Sequence, residues 1–105
     1  MIHTVKCYPE YFKLLLDGSK PFEARENDRI YEVGDYLAVN EFLPEEDPYT
    51  LRKNPPEKDS EFNRTADDGY YSGKCAVFRI TYILDNPQFC KEGKVILGLA
   101  RCIIQ

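Results

Sequence analysis

The chain has 105 residues, of which 43% are hydrophobic and 30% charged, and a formal net charge of -4. That suffices for one domain, residues 1–105, with a modest core, while apolar runs such as Leu14–Leu16 and Val95–Leu97 fall far short of the roughly 20 residues of a membrane-spanning helix. The acidic balance argues against strong sequence-independent binding of duplex nucleic acid, where neutralisation of phosphates by Lys and Arg dominates affinity.

Ile2 to Cys7 alternates and contains β-branched residues, which predicts a strand with His3, Val5 and Cys7 on one side. Pro9 suits a first helical turn, Glu10 favours the positive helix end, and Phe12, Leu15 and Leu16 form an apolar stripe before Gly18 stops the helix. Lys20 to Arg25 is a second strand, followed by turns at Glu26–Arg29 and Val33-Gly34-Asp35. Tyr36 to Phe42 is a third, with Glu41 near its end, facing back toward the preceding basic residues.

From Leu43 to Ser72 the composition changes, with four of the seven prolines, eight acids against four bases, and no apolar periodicity. The other residues balance in charge, so the acidity belongs to this segment. Loops beyond about 12 to 15 residues are uncommon in compact domains unless functional or disordered. Its interior, Pro44 to Asp68, is therefore expected to be a mobile loop, with Tyr49, Phe62, Tyr70 and Tyr71 as candidate anchors. Lys74 to Leu84 is the clearest strand, rich in Val, Ile, Thr, Tyr and Phe, and its length implies a bend or bulge. Asp85-Asn86-Pro87 turns the chain toward a last strand, Val95 to Ile104, where Gly98 marks a bulge or close backbone approach. The fold class that follows is mainly β with one or two short helices: about five mostly antiparallel strands in a small closed or nearly closed barrel plugged by the first helix.

Cys7, Cys75, Cys90 and Cys102 contain no CxxC pair and the single histidine is His3, so the usual structural zinc spacings cannot be assembled and neither metal nor cofactor is expected. The N-terminus has no apolar signal region, which points to a cytoplasmic protein with reduced, mostly buried thiols. A nucleophilic cysteine needs a histidine or a helix N-terminus nearby, and Cys7 near His3 is the only candidate in the sequence.

The densest chemistry lies between Gly18 and Asp35, where Lys20, Glu23, Arg25, Asn27, Asp28 and Arg29 fall within ten residues. In a strand, Phe22 and Ala24 point to one face and Glu23 and Arg25 to the other, so an acid and a base are expected side by side on the open face. Lys20 offers a point charge for phosphate, Arg25 a planar fork for phosphate or a base edge, and Glu23 an acceptor for an exocyclic amine. The competing interpretation is a structural ion-pair network holding the helix to the barrel.

Gly18-Ser19-Lys20, Glu23 and Arg25, followed by Val33-Gly34-Asp35 at a strand start, resemble the GxKxxExR pattern of the ASCH superfamily. Pro9–Phe12, Arg25–Arg29, Tyr71–Lys74 and Val95–Leu99 extend the resemblance to a small ASCH-like domain of unknown function found in bacteria and phages. It implies a PUA-like β-barrel with a cleft beside the first helix, lined by Lys20, Glu23 and Arg25, where RNA or a nucleotide binds. Some ASCH proteins are amidohydrolases acting on an acylated cytidine through a lysine, a threonine and a glutamate. Here Lys20 matches the lysine and Glu23 stands where the threonine would be, while the helical insertion that supplies the glutamate has no counterpart, so Glu41 would substitute only by a different geometry.

The expected function is an RNA- or nucleotide-binding module using Lys20, Glu23, Arg25, Asn27 and Arg29. One alternative is an enzyme acting on a modified nucleoside through Lys20, Glu23 and Glu41. The other is a protein-interaction module whose partner docks on the acidic loop.

Overall fold

The computed structural model describes residues 1–47 and 50–102. Its elements are β1 (Ile2–Cys7), α1 (Pro9–Asp17), β2 (Phe22–Glu26), β3 (Tyr36–Pro44), β4 (Arg64–Ala66), β5 (Gly69–Leu84) and β6 (Lys94–Arg101). One sheet runs in the order β1-β3-β5-β6-β2, with the short β4 added to β5. The β1–β3 pair is parallel and the others antiparallel, so the chain is mainly β with one helix among the described residues.

The sheet curls into a half-barrel, and no ladder joins its two edge strands, β1 and β2, among the described residues. A side chain spans that seam instead: Arg25 Nη1 donates to the Lys6 carbonyl oxygen at 2.9 Å. Inside the curl, Val5, Cys7, Leu37, Val39, Phe78, Ile80, Val95 and Leu97 form one core with Phe12 and Leu15 of the helix. Alternation dictates this arrangement, because β1 buries His3, Val5 and Cys7 and exposes the residues between. The helix starts at Pro9, places Glu10 in its first turn, and ends at Gly18 with φ 83°. Only Phe12 and Leu15 are buried, however, and Leu16 is 43% exposed. A nine-residue helix meeting the curved sheet along one narrow line cannot bury the wider stripe read from the sequence.

The acidic excursion is shorter than the composition implies. β3 continues to Pro44, β5 begins at Gly69 rather than near Lys74, and β4 pairs with β5 inside the expected loop. Glu46 and Lys53 add an isolated bridge. Gly69 permits this, since a Cβ there would stand 2.3 Å from the Leu43 carbonyl oxygen and 2.5 Å from the Phe42 ring. Phe62, Tyr70 and Tyr71 are half-buried, whereas Tyr49 and the far end of the predicted last strand, Ile103 and Ile104, lie outside the described residues. The bend expected in the long strand is present twice. Ser72, Gly73 and Lys74 stand opposite Glu41 alone, and Thr81 is extra opposite the Leu99–Gly98 step. At the second bulge Gly98 faces Tyr82 at close range, a Cβ there being 3.1 Å from that of Tyr82.

At the opposite end of the half-barrel, Asp35 ties the start of β3 to β1. It accepts from His3 Nε2 at 2.8 Å, the Met1 amine at 3.1 Å and the Glu32 amide at 3.1 Å. The His3 hydrogen bond first, then the amine, hold the Asp35 carboxyl down to about 2. A carboxyl held below its unfolded value of about 3.9 stabilises the fold above that pH and ceases to do so as pH falls through the folded value. Asp35→Asn is therefore expected to melt below wild type at pH 5 to 7, with the gap closing between about pH 4 and pH 2. Thermal midpoints across that range check this; a gap independent of pH would contradict it.

Candidate functional site

The charged stretch leaves α1 at Gly18, forms edge strand β2, and reaches β3 through the Gly34 turn. Its period of two is as the sequence predicts, but its faces are reversed. Glu23 is opposite Leu97 and Arg25 opposite Val95, and directly paired residues share a face. Leu97 and Val95 are core residues, so Glu23 and Arg25 turn into the curl while Phe22 and Ala24 point outward. Glu23 is only 7% exposed and Phe22 43%.

Glu23 Oε1 accepts from Lys20 Nζ at 3.2 Å, whereas its buried Oε2 has no hydrogen-bond partner among the described residues. Lys20 stands behind this carboxylate, with Nζ 5.0 Å from the Tyr11 ring centre and 5.4 Å from that of Phe22; cation–π contacts of this kind hold an ammonium in place. On the far side of the seam lies Cys7, whose thiol is pushed up to about 12 by burial and then by the charge of Glu23. It is a neutral thiol, not a nucleophile. His3 does not assist it, being bound to Asp35 and four residues away along β1, roughly 13 Å at about 3.3 Å per residue. Cys90 is also buried, but Cys75 is exposed and Cys102 half-buried, so the expectation of mostly buried thiols holds for two of the four.

Glu23 and Arg25 open into a cleft of about 820 Å³ at the rim where β1, α1, β2 and the end of β3 meet. Tyr8, Tyr11 and Phe42 supply its aromatic walls. Its charged lining comprises three bases, Lys6, Arg25 and Lys94, against five acids, Glu23, Glu26, Glu45, Glu46 and Asp68. The bases are already engaged: Lys6 with Asp68 at 2.8 Å, Lys94 with Glu26, and Arg25 with the Lys6 carbonyl. The Lys6–Asp68 contact raises the lysine and lowers the carboxyl, keeping both charged. This cleft offers aromatic faces and hydrogen-bond acceptors more than phosphate neutralisation.

The remaining candidates lie elsewhere. Asn27 occupies the turn after β2, where its backbone amide donates to Gly93 O at 2.9 Å. Arg29 pairs with Asp28 at 3.5 Å and covers Tyr31, whose ring packs on His3. Glu41 is 7% exposed, its Oε1 has no hydrogen-bond partner among the described residues, and it stands opposite Cys7 in the parallel ladder without lining the cleft. Sequence inspection missed Lys6, Tyr8, Tyr11, Phe42 and Lys94. The only signal available for Lys6 was its outward position in the β1 alternation; Lys94 is brought in by the β2–β6 register, which no local pattern encodes.

A match to the family described as Domain of unknown function (DUF3850) covers residues 2–99. The chain belongs to that family. The matched span contains every element from β1 to most of β6 and all the cleft residues named above. The DUF3850 chain is also similar to an uncharacterized 12.9 kDa protein in GpA 3'region of Escherichia phage P2, with 48% identity over 42 residues. That alignment covers 40% of this chain and 38% of the phage protein, placing the DUF3850 domain alongside a small phage protein. Among its described residues no helix is long and apolar enough to cross a membrane.

Proposed function

We propose that this DUF3850 chain is an ASCH-like binding module of the cytoplasm that takes a base of single-stranded RNA, or the equivalent nucleotide, into the cleft beside α1. One observation carries this: a buried carboxylate, Glu23, which lines a cleft walled by Tyr8, Tyr11 and Phe42, is held by Lys20 through one oxygen, while its other, buried oxygen has no hydrogen-bond partner among the described residues. An unsatisfied buried acceptor is costly by about 1–3 kcal/mol, and a ligand donor would relieve that cost. Unstacked bases are held on aromatic faces and read along their polar edges, and a carboxylate accepts from the exocyclic amine of cytosine in this way. Arg25, whose Nη1 is fixed on Lys6 O, supplies a guanidinium beside the same edge. Lys20 thereby becomes a positioning residue and Glu23 the reader, so bases bearing an exocyclic amine bind in preference to uracil. Hydrolysis draws less support, because Glu41 is outside the cleft and Cys7 is a neutral thiol.

The test is a thermal-shift panel of cytidine, adenosine, guanosine, uridine and short single-stranded RNAs against wild type and Glu23→Gln, each protein referred to its own unliganded midpoint. A ligand at 100 times its dissociation constant stabilises by about 2.7 kcal/mol, which is several degrees for a domain of this size. The expected result is a wild-type shift with amine-bearing bases that Glu23→Gln loses. Equal shifts in both proteins would overturn the role of Glu23.

A further inference from the structure

The base cleft is poor in available positive charge, yet a second concavity on the neighbouring part of the sheet is not. It measures about 280 Å³ and is lined by Asn40, Arg64, Tyr71, Gly73 and Lys74. Its lining holds two cations and no carboxylate. Arg64 makes no ion pair among the described residues. Its guanidinium lies over Gly73, where a Cβ would stand 3.6 Å from Arg64 Cζ, an ordinary contact distance, and where the φ of 88° favours glycine. The pocket sits on the bulge where Ser72, Gly73 and Lys74 oppose Glu41 alone; bulges re-aim side chains and are over-represented beside functional sites.

The two concavities are neighbours on the sheet. Arg64 pairs with Tyr71 and Tyr71 with Phe42 in adjacent ladders, and Phe42 is a wall of the base cleft. The Phe42 and Tyr71 rings meet at 5.1 Å, and Lys6 Nζ stands over both, 4.8 Å and 6.0 Å from their centres. With strands about 4.8 Å apart, Arg64 is roughly 10 Å from Phe42, about three stacked nucleotides at ~3.4 Å each.

We infer that the Arg64–Lys74 pocket is a phosphate subsite, joined to the base cleft by Lys6, Phe42 and Tyr71, and that the natural ligand is therefore a strand of several nucleotides. This rests on the base-reading role proposed for the cleft. A guanidinium matches a phosphate's oxygens in a fork and an ammonium adds a point charge, while the Asn40 amide and Tyr71 hydroxyl are neutral donors in the same lining. Two carboxylates oppose the ligand from outside that lining. Glu61 pairs with Lys74 at 2.9 Å, with both side chains about half exposed, and buried Glu41 acts on Lys74 through its charge. Exposed pairs of this kind are weak, so a phosphate can replace Glu61 as the partner of Lys74.

The test compares wild type, Glu23→Gln, Arg64→Gln/Lys74→Gln and the charge-preserving Arg64→Lys. The probes are cytidine, inorganic phosphate and a cytidine tetranucleotide, with tetranucleotide affinity measured from 50 to 200 mM salt. Arg64 and Lys74 are solvent-exposed, so the double variant is expected to fold, as its own melting curve will show. For the double variant the expectation is at least a tenfold loss of tetranucleotide affinity. The slope of log K against log salt should be shallower by about 1.4, two phosphate contacts at ~0.7 each. Cytidine binding should be unchanged, and Arg64→Lys, which keeps the charge but loses the fork, should keep the wild-type salt slope while losing part of the tetranucleotide affinity. Wild-type affinity and slope in the double variant would overturn the subsite. Phosphate binding as tightly as the tetranucleotide would overturn the strand as its ligand. Loss of cytidine binding in Glu23→Gln with an unaffected double variant would leave the base cleft standing and remove the subsite; the reverse pattern would keep the subsite and remove the base reader. Absence of tetranucleotide binding by wild type would end both.

Discussion

Phe12→Ala is expected to destabilise the domain by about 3–5 kcal/mol, the range for deleting a buried aromatic side chain. Domains of this class have a total stability of only about 5–15 kcal/mol. Phe12 is 2% exposed, and with Leu15 it is one of the two residues through which the nine-residue helix is buried. So short a helix is not stable by itself, because helices below about 12–15 residues are marginal without tertiary packing. The consequence reaches the site. Tyr8 and Tyr11 flank Phe12 at the start of α1 and form a wall of the cleft, so a loosened helix blurs that wall before the sheet unfolds. Leu16→Ala is the control: at 43% exposure it should cost less than about 1 kcal/mol. Urea denaturation of the two variants checks this, and equal losses would contradict the narrow contact line assigned to the helix.

Lys20→Ala is expected to cost about 3 kcal/mol, near the lower end of the 3–5 kcal/mol for breaking one side of a buried ion pair. The side chains are 17% and 9% exposed for Lys20 and Glu23, so the pair is mostly out of water and the lysine is its wetter half. Removing the ammonium strands a carboxylate whose other oxygen already lacks a hydrogen-bond partner among the described residues. Glu23→Gln in the Lys20→Ala background should recover part of the loss, since a neutral amide needs no counter-charge, and a double-mutant cycle isolates that coupling. A Lys20→Ala loss within about 0.5 kcal/mol, typical of a surface substitution, would mean that the pair is solvated and Glu23 is not positioned by it.

Local patterns carried much of this fold. The alternation of Ile2–Cys7 gave the correct buried face, His3, Val5 and Cys7, because side chains alternate across a strand that has its core on one side, even though the β-branched Ile2 and Thr4 fall on the exposed side. The Pro9 start and Gly18 stop bounded the helix for equally local reasons. β2 shows where such reasoning ends. The two-residue period of Phe22–Glu26 was legible, but which face is inside depends on pairing with Val95 and Leu97 of β6, a contact some seventy residues away. Composition suggested that the polar face looked outward, and the register reversed it. The acidic excursion misled in the same way. Gly69 is needed by its approach to Leu43 and Phe42, yet in sequence it is one glycine among aspartates and tyrosines. Of the site, Glu23 and Arg25 were readable from the charged stretch. Arg64 and Lys74 were not, because they sit in or beside a segment whose net charge is negative, and only the β4–β5–β3 ladder collects them.

The most direct test of the central claim is to titrate cytidine into the isotope-labelled protein and follow every backbone amide. A base accepted by Glu23 should perturb amides at Cys7, Tyr8 and Glu23 to Glu26 at the rim of the cleft, saturably, and leave the Asp35 end of the half-barrel unchanged. The same titration with uridine should perturb them less at equal concentration. Perturbations confined to other parts of the sheet, or none at saturating nucleoside, would contradict a base-reading cleft built on Glu23.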